Sequence, residues 1–193
     1  MRLQLLSKGH QPSQKLKLFI MRLIIGITPG PIATLSYRKD FFGLQFSRWI
    51  ERSMRQLRHW SFGEAELFSA YVSKLNHSQF FLDAHAELAK ISLPSDYVDS
   101  ALADPDKLSS RKMRAVFSLI KKLTLNPDHL SVQDFNELIR LKVESEAIKE
   151  IIHICSVFTV VNRLDLAFNY PPLPRLDKIA KFLLYNGYKR AVV

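Results

Sequence analysis

The sequence predicts an all-α fold, and three observations lead there. Apolar residues recur at spacings of three and four along successive segments, and the breaks between those segments carry caps and prolines. No segment alternates apolar and polar residues with the period of two that a half-buried strand needs. The chain holds only 6 glycines, too few for a sheet-rich fold with many tight turns, and no Gly-rich phosphate loop occurs. At 193 residues, with 47% hydrophobic and 24% charged side chains, it suits one soluble domain with a real core.

Residues 1–15 are polar, hold Gly9 and Pro12, and read as a loose arm. Leu16 to Ile27 is apolar but interrupted by Lys17 and Arg22, so it is too short and too charged to span a bilayer. It lacks a small-x-small cleavage site before Pro29-Gly30-Pro31 and does not read as a signal segment. It reads instead as a helix docked on the body or on a neighbouring subunit, with a peripheral membrane contact as the alternative. The Pro-Gly-Pro run breaks it. From Phe41 a helical pattern follows in Phe42, Phe46, Trp49, Ile50 and Met54, with Gly43 as a mild weakness near its start. These aromatics suit a core better than a cofactor box.

Ser61 and Glu64 form a capping box, so a helix runs from there to about Leu75. His77 to Ile91 makes the next helix. Only Asn76 and its neighbours separate the two, which predicts a tight helical hairpin. Pro94 and Ser95 open a short helix, and Pro105 ends the loop after it. Residues 106–125 read as a long amphipathic helix through Met113, Val116, Phe117, Ile120 and Leu123, stopped at Asn126-Pro127-Asp128. Ser131 caps a further helix, with Asp134 in its first turn. Ser145–Phe168 is apolar on nearly every face and reads as the central buried helix. Pro171, Pro172 and Pro174 make a linker before a last helix over roughly Asp177–Asn186, carrying Ile179, Phe182 and Leu183. The division is a basic N-terminal arm and helix over 1–28 and a helical domain over 29–193.

The net charge of +10 is unevenly placed. Residues 1–60 hold 11 Lys and Arg against 2 Asp and Glu, a net of +9, and the remaining residues are near neutral. The skew reads as a solvated face or a surface meeting an acidic partner. Nucleic acid is disfavoured, because no recognised motif accompanies the charge. The lone Cys155 excludes an intramolecular disulfide and a cycling thiol pair, and fits a reducing, cytoplasmic setting. The six scattered histidines do not supply a structural zinc site.

Glu66, Ser78 and His85 form the constellation of interest. Ser78 and His85 are seven residues apart on one helix, which puts both on one face at an axial offset of about 10 Å, with Phe81 between them. The hairpin folds Glu66 back towards the same place. Glu66 followed by S-Q-F-F-L-D-A-H (Ser78 to His85) resembles the core of the alkylhydroperoxidase D / carboxymuconolactone decarboxylase-like family, in its peroxidase-related branch. That core reads Glu, twelve residues on Cys-x-x-Cys, and four residues further His. Trp60–Asn76, Tyr37–Gly43, Lys122-Leu123-Thr124 with Pro127, Phe158–Leu164, and Phe182 with Gly187-Tyr188 resemble further parts of it. The resemblance covers roughly residues 29–190.

The resemblance implies an oligomeric, all-helical fold built round the hairpin, as a dimer, trimer or hexamer, and an antioxidant thiol relay in which Glu and His move protons. Carried over by position, Ser78 stands at the resolving cysteine and Phe81 at the peroxidatic one. Phe80 stands where some members place a second His. Glu66 and His85 keep the proton-handling positions. A phenylalanine cannot be a nucleophile, a serine cannot form a disulfide, and Cys155 lies about 70 residues further on, so the dithiol route is closed. The expectation is therefore a pseudoenzyme whose site is packed with Phe80 and Phe81. One alternative is a thiol-independent enzyme of the carboxymuconolactone decarboxylase type, with Glu66 and His85 as acid and base on a small-molecule ligand. Another is a basic module for an anionic partner. A Ser78–His85–Glu66 triad is opposed by the ~10 Å offset against a hydrogen bond of ~3 Å. His77 as a third metal ligand is opposed by its direction, about 100° round the helix from Ser78. No metal and no cofactor are implied. His85 read without catalysis is a hydrogen-bonded partner for Glu66, and Asn162 and Arg163 fix helix or subunit contacts.

Overall fold

The computed structural model describes residues 9–28, 30–37, 39–174 and 176–188, and among these every regular element is helical. The helices are α1 (Pro12–Ile25), α2 (Gly30–Tyr37), α3 (Leu44–Arg55), α4 (Phe62–Leu75), α5 (Gln79–Lys90), α6 (Ser95–Ala103), α7 (Arg111–Leu125), α8 (Val132–Arg140), α9 (Ser145–Phe168) and α10 (Leu176–Asn186). The side chains of Phe41, Ile179 and Phe182, which the sequence places on apolar faces, lie outside the described residues.

The α4–α5 hairpin is the centre of the fold. Ser61 caps α4 as its sequence requires: the Ser61 amide and hydroxyl both donate to Glu64 Oε2, at 2.8 and 2.7 Å, and the Glu64 amide donates back to Ser61 Oγ. The turn closes through His77, whose φ of 58° is left-handed, and Ser78 becomes the N-cap of α5. His77 is exposed at this turn, away from the hairpin's inner face. α9 crosses α4 and also meets α2, α3 and α7, and α10 packs on α5. Phe68, Phe117, Ile120, Ile151, Ile154, Val157 and Phe158 fill the space between them. By length and composition α9 alone among the described helices could cross a bilayer, but its inner face is buried in this core. Its other face is exposed, contrary to the all-round burial that its composition suggests: Leu166 and Arg163 stand in solvent.

Several boundaries differ from expectation for physical reasons. The expected loose arm is helical from Pro12, because Pro at the first helical position is pre-organised for a helix and Gln11 and Gln14 form a capping box. His10 and Gln14 are buried, and each bonds a carbonyl of α2. The helix expected from residue 106 starts at Arg111. Ser110 accepts from the Met113 amide and caps it, while Asp104 caps a separate 3₁₀ turn at Pro105–Lys107. A π turn at Lys39–Gly43 precedes α3, and Trp49 is exposed, whereas Phe46, Ile50 and Met54 are core.

Candidate functional site

Glu66 lies inside the hairpin with no exposed surface. Its two oxygens meet three side chains from three elements. Arg55 Nη1, at the end of α3, donates to Oε1 at 2.6 Å. His85 Nδ1, on α5, meets Oε2 at 2.5 Å. The Tyr188 hydroxyl, after α10, lies 3.0 and 3.2 Å from the two oxygens and donates between them. Burial by itself raises the pKa of this carboxyl, but the His85 and then the Arg55 interactions outweigh it and hold Glu66 below the ordinary range. The Tyr188 phenol moves the other way: burial and then the Glu66 charge push it well above its usual value, which keeps it a proton donor.

Each partner is held in turn. The Arg55 guanidinium lies over the rings of Phe62 and Tyr188, at 4.4 and 4.6 Å, and Nη2 donates to the Leu183 carbonyl. Tyr188 is fixed at both ends of its backbone unit: its amide donates to Glu51 Oε2 at 2.7 Å, and its carbonyl accepts from Ser47 Oγ at 2.8 Å. Gly187 before it has a φ of 61°, and a Cβ there would stand 2.7 Å from Glu51 Oε2, so glycine suits both the turn and the contact. Ser47, Glu51 and Arg55 are one stripe of α3 at intervals of four.

Ser78 does not join this network. Its hydroxyl donates to Asp165 Oδ2 at 2.5 Å, and the Tyr170 amide donates to Asp165 Oδ1 at 3.2 Å. Ser78 therefore pins the start of α5 to the end of α9. A Ser78–His85–Glu66 triad is not formed, because Phe81 stands between Ser78 and His85. Phe81 stacks on the His85 ring at 6.0 Å and turns an edge towards Phe158 and Tyr170. Phe80 packs against Phe81 and Tyr170, at 5.0 and 5.3 Å. His85 also meets Phe158 edge-on at 4.6 Å. Glu66, Ser78, Phe80, Phe81 and His85 are all buried, so the site is closed and lined by rings.

The hairpin thus brings Glu66 and His85 together and leaves Ser78 on a separate carboxylate. Arg55, Asp165 and Glu51 were not singled out from the sequence, and Tyr188 entered only as part of the resemblance, with no place in the site. A charged stripe on an amphipathic helix normally reads as its solvated side, and Tyr188 stands 122 residues from Glu66. Among the described residues no group of three or more His, Cys, Asp or Glu is placed to hold a metal ion. Cys155 is buried on α9, and burial pushes its thiol up to about 12.

The sequence matches no family model and no curated protein. The fold does match solved structures. A peroxidase-related protein from Silicibacter sp. TM1040 superposes with a TM-score of 0.72 at 17% identity, over 88% of this chain and 90% of that one. A peroxidase-related protein with an alkylhydroperoxidase AhpD core, from Ralstonia eutropha JMP134, superposes with a TM-score of 0.70 at 19% identity, over 89% and 90%. The chain has the alkylhydroperoxidase D fold. The debrominase Bmp8, in a complex with 2,3,4-tribromopyrrole, also has a similar fold, with a TM-score of 0.68 at 17% identity over 89% and 90%. Within this alkylhydroperoxidase D fold, Glu66 and His85 occupy the inner face of the central hairpin, and the ring cluster of Phe80, Phe81, Phe158 and Tyr170 covers them.

Proposed function

We propose that this chain is an alkylhydroperoxidase D-like protein without thiol peroxidase activity, in which the Glu66–His85 pair and its partners hold the hairpin, α3 and the chain end together. Phe81 carries the reading. It stands at the peroxidatic position that the resemblance implies, buried against His85, Phe158 and Tyr170, where a thiolate would have to meet peroxide. Ser78, at the resolving position, is committed to Asp165. The one thiol, Cys155, is neutral at physiological pH and sits in the core. A peroxidase cycle needs a thiolate that attacks the peroxide oxygen and a second thiol that forms a disulfide as water leaves, and this chain supplies neither.

The test is peroxide consumption with a dithiol reductant, comparing the parent with a Ser78→Cys, Phe81→Cys variant. We expect no turnover by the parent and measurable turnover by the variant, whose thiols would lie at the start of α5 near His85. Oxidation of the variant to a disulfide, read by mass, checks the scaffold apart from turnover. Turnover by the parent would sink the proposal.

A second reading is favoured by one observation. Nδ1 of His85 is taken by Glu66, which leaves Nε2 as the ring nitrogen not engaged by that carboxylate. A small acid, a lactone or a flat aromatic ligand such as the one bound by Bmp8 could be received there if the rings of Phe80 and Phe81 move aside. Thermal-shift screening of such compounds against the parent and His85→Ala tests this, and a shift that persists in His85→Ala would count against it.

A further inference from the structure

We propose that α1 is a peripheral membrane anchor: it lays Leu16, Phe19, Ile20, Leu23 and Ile24 into the interface of an anionic lipid surface, with Lys15, Lys17 and Arg22 at the headgroups. The helix turns its two faces to different surroundings. Gln14 and Leu18 are buried on the side facing the body, and His10 just before it is buried too. His10 Nε2 meets the Ala33 carbonyl and Gln14 Nε2 donates to the Ser36 carbonyl, each at 2.7 Å, which fixes how the helix is rolled on α2. The five apolar residues project the other way. Phe19 is 56% exposed, Leu23 69% and Ile24 71%, far more than a soluble protein ordinarily leaves on one helix.

At 100° per residue these five residues occupy an arc of about 140° opposite Leu18. Lys15 and Arg22 border one edge of the arc and Lys17 the other, and all three are exposed. This is the arrangement of a helix lying in a bilayer interface, where cationic side chains reach up from beside an apolar stripe to the phosphates. The charge of the surrounding chain selects the occupant. Residues 1–39 hold seven Lys and Arg and no Asp or Glu, the first carboxylate being Asp40. An anionic leaflet complements that charge. A second copy of α1 would set cation against cation with no carboxylate to pair them. The helix is also formed in advance, with Pro12 and the Gln11–Gln14 capping box at its start and a left-handed Gly26 (φ 91°) at its end, so binding does not have to order it.

The experiment is flotation of the full chain with vesicles of phosphatidylcholine alone or of phosphatidylcholine and phosphatidylserine in equal parts. We expect the chain to float with the anionic vesicles only, and less as salt is added. The Phe19→Ser, Leu23→Ser variant should lose flotation. The Lys17→Glu, Arg22→Glu variant should bind at least about tenfold more weakly, since each cation at such a surface contributes about fivefold. The melting temperature of both variants should stay near the parent's, because these side chains point to solvent. Three results would overturn the proposal: failure of the parent to float with anionic vesicles, flotation of Phe19→Ser, Leu23→Ser like the parent, or a concentration-dependent dimer that this variant abolishes while the parent floats with neither vesicle.

Discussion

Glu66 is a buried carboxylate that His85 and Arg55 favour in its ionised form, with the Tyr188 hydroxyl as a third hydrogen-bond donor. Replacing it by Gln leaves the Arg55 guanidinium facing a neutral group in a nearly dry setting, so Glu66→Gln should destabilise by about 3–5 kcal/mol, read as a loss in chemical denaturation. The pH dependence follows from the direction of the Glu66 shift. Its folded pKa lies below the ordinary value of 4.5, so its contribution is complete above that value and is lost as pH falls through the lower folded value. The melting temperature should therefore drop in that acid window, and the drop should be smaller in Glu66→Gln. Ser78 plays a different part. Its hydroxyl is bonded to the buried Asp165, and Ser78→Ala should cost about 1.5–3 kcal/mol, with no change in the acid window assigned to Glu66.

At the scale of elements, the hairpin and its neighbours depend on close approaches that side-chain patterning does not reveal. Gly43 ends the π turn before α3, and a Cβ there would stand 1.9 Å from the Leu35 carbonyl oxygen, a backbone atom that cannot swing aside. Gly43→Ala should destabilise by about 1–3 kcal/mol in denaturant titration, although alanine favours a helix. The residue that looks like a weakness in the pattern is what lets α2 and α3 meet. The capping box of α4 is the opposite case, local and legible: Ser61→Ala should cost about 1 kcal/mol, measured the same way.

For the whole molecule, one core joins α4, α7 and α9, and the polar network on the hairpin's inner face ties that core to α3 and the end of α10. Cys155 belongs to the core, so its labelling by a thiol reagent at mildly alkaline pH should be slow and should accelerate with denaturant in step with global unfolding. Labelling at the rate of a free thiol in the native protein would contradict that placement. α1 stands apart from this core, being attached mainly through His10, Gln14 and Leu18.

Local signals account for what was legible beforehand. The capping boxes at Ser61 and Ser131, the prolines and the spacing of Phe46, Ile50 and Met54 act within a turn or two of chain, so α3, α4, α8 and α9 and the hairpin could be read directly. The pairing of Glu66 with His85 followed from the hairpin, because a tight turn brings known positions together. Arg55, Tyr188 and Asp165 could not be found this way. Each reaches its partner across 11, 122 or 87 residues of chain, and nothing in a neighbouring residue records a contact that only folding creates. The sequence by itself determined the helices from α3 onward in outline, the hairpin and the identity of the side chains at its centre, whereas α2 was not read from it. Only the tertiary structure decided that Ser78 turns to Asp165 rather than towards His85, and that Glu66 is shared among three donors, because burial and side-chain direction depend on every element packed around them.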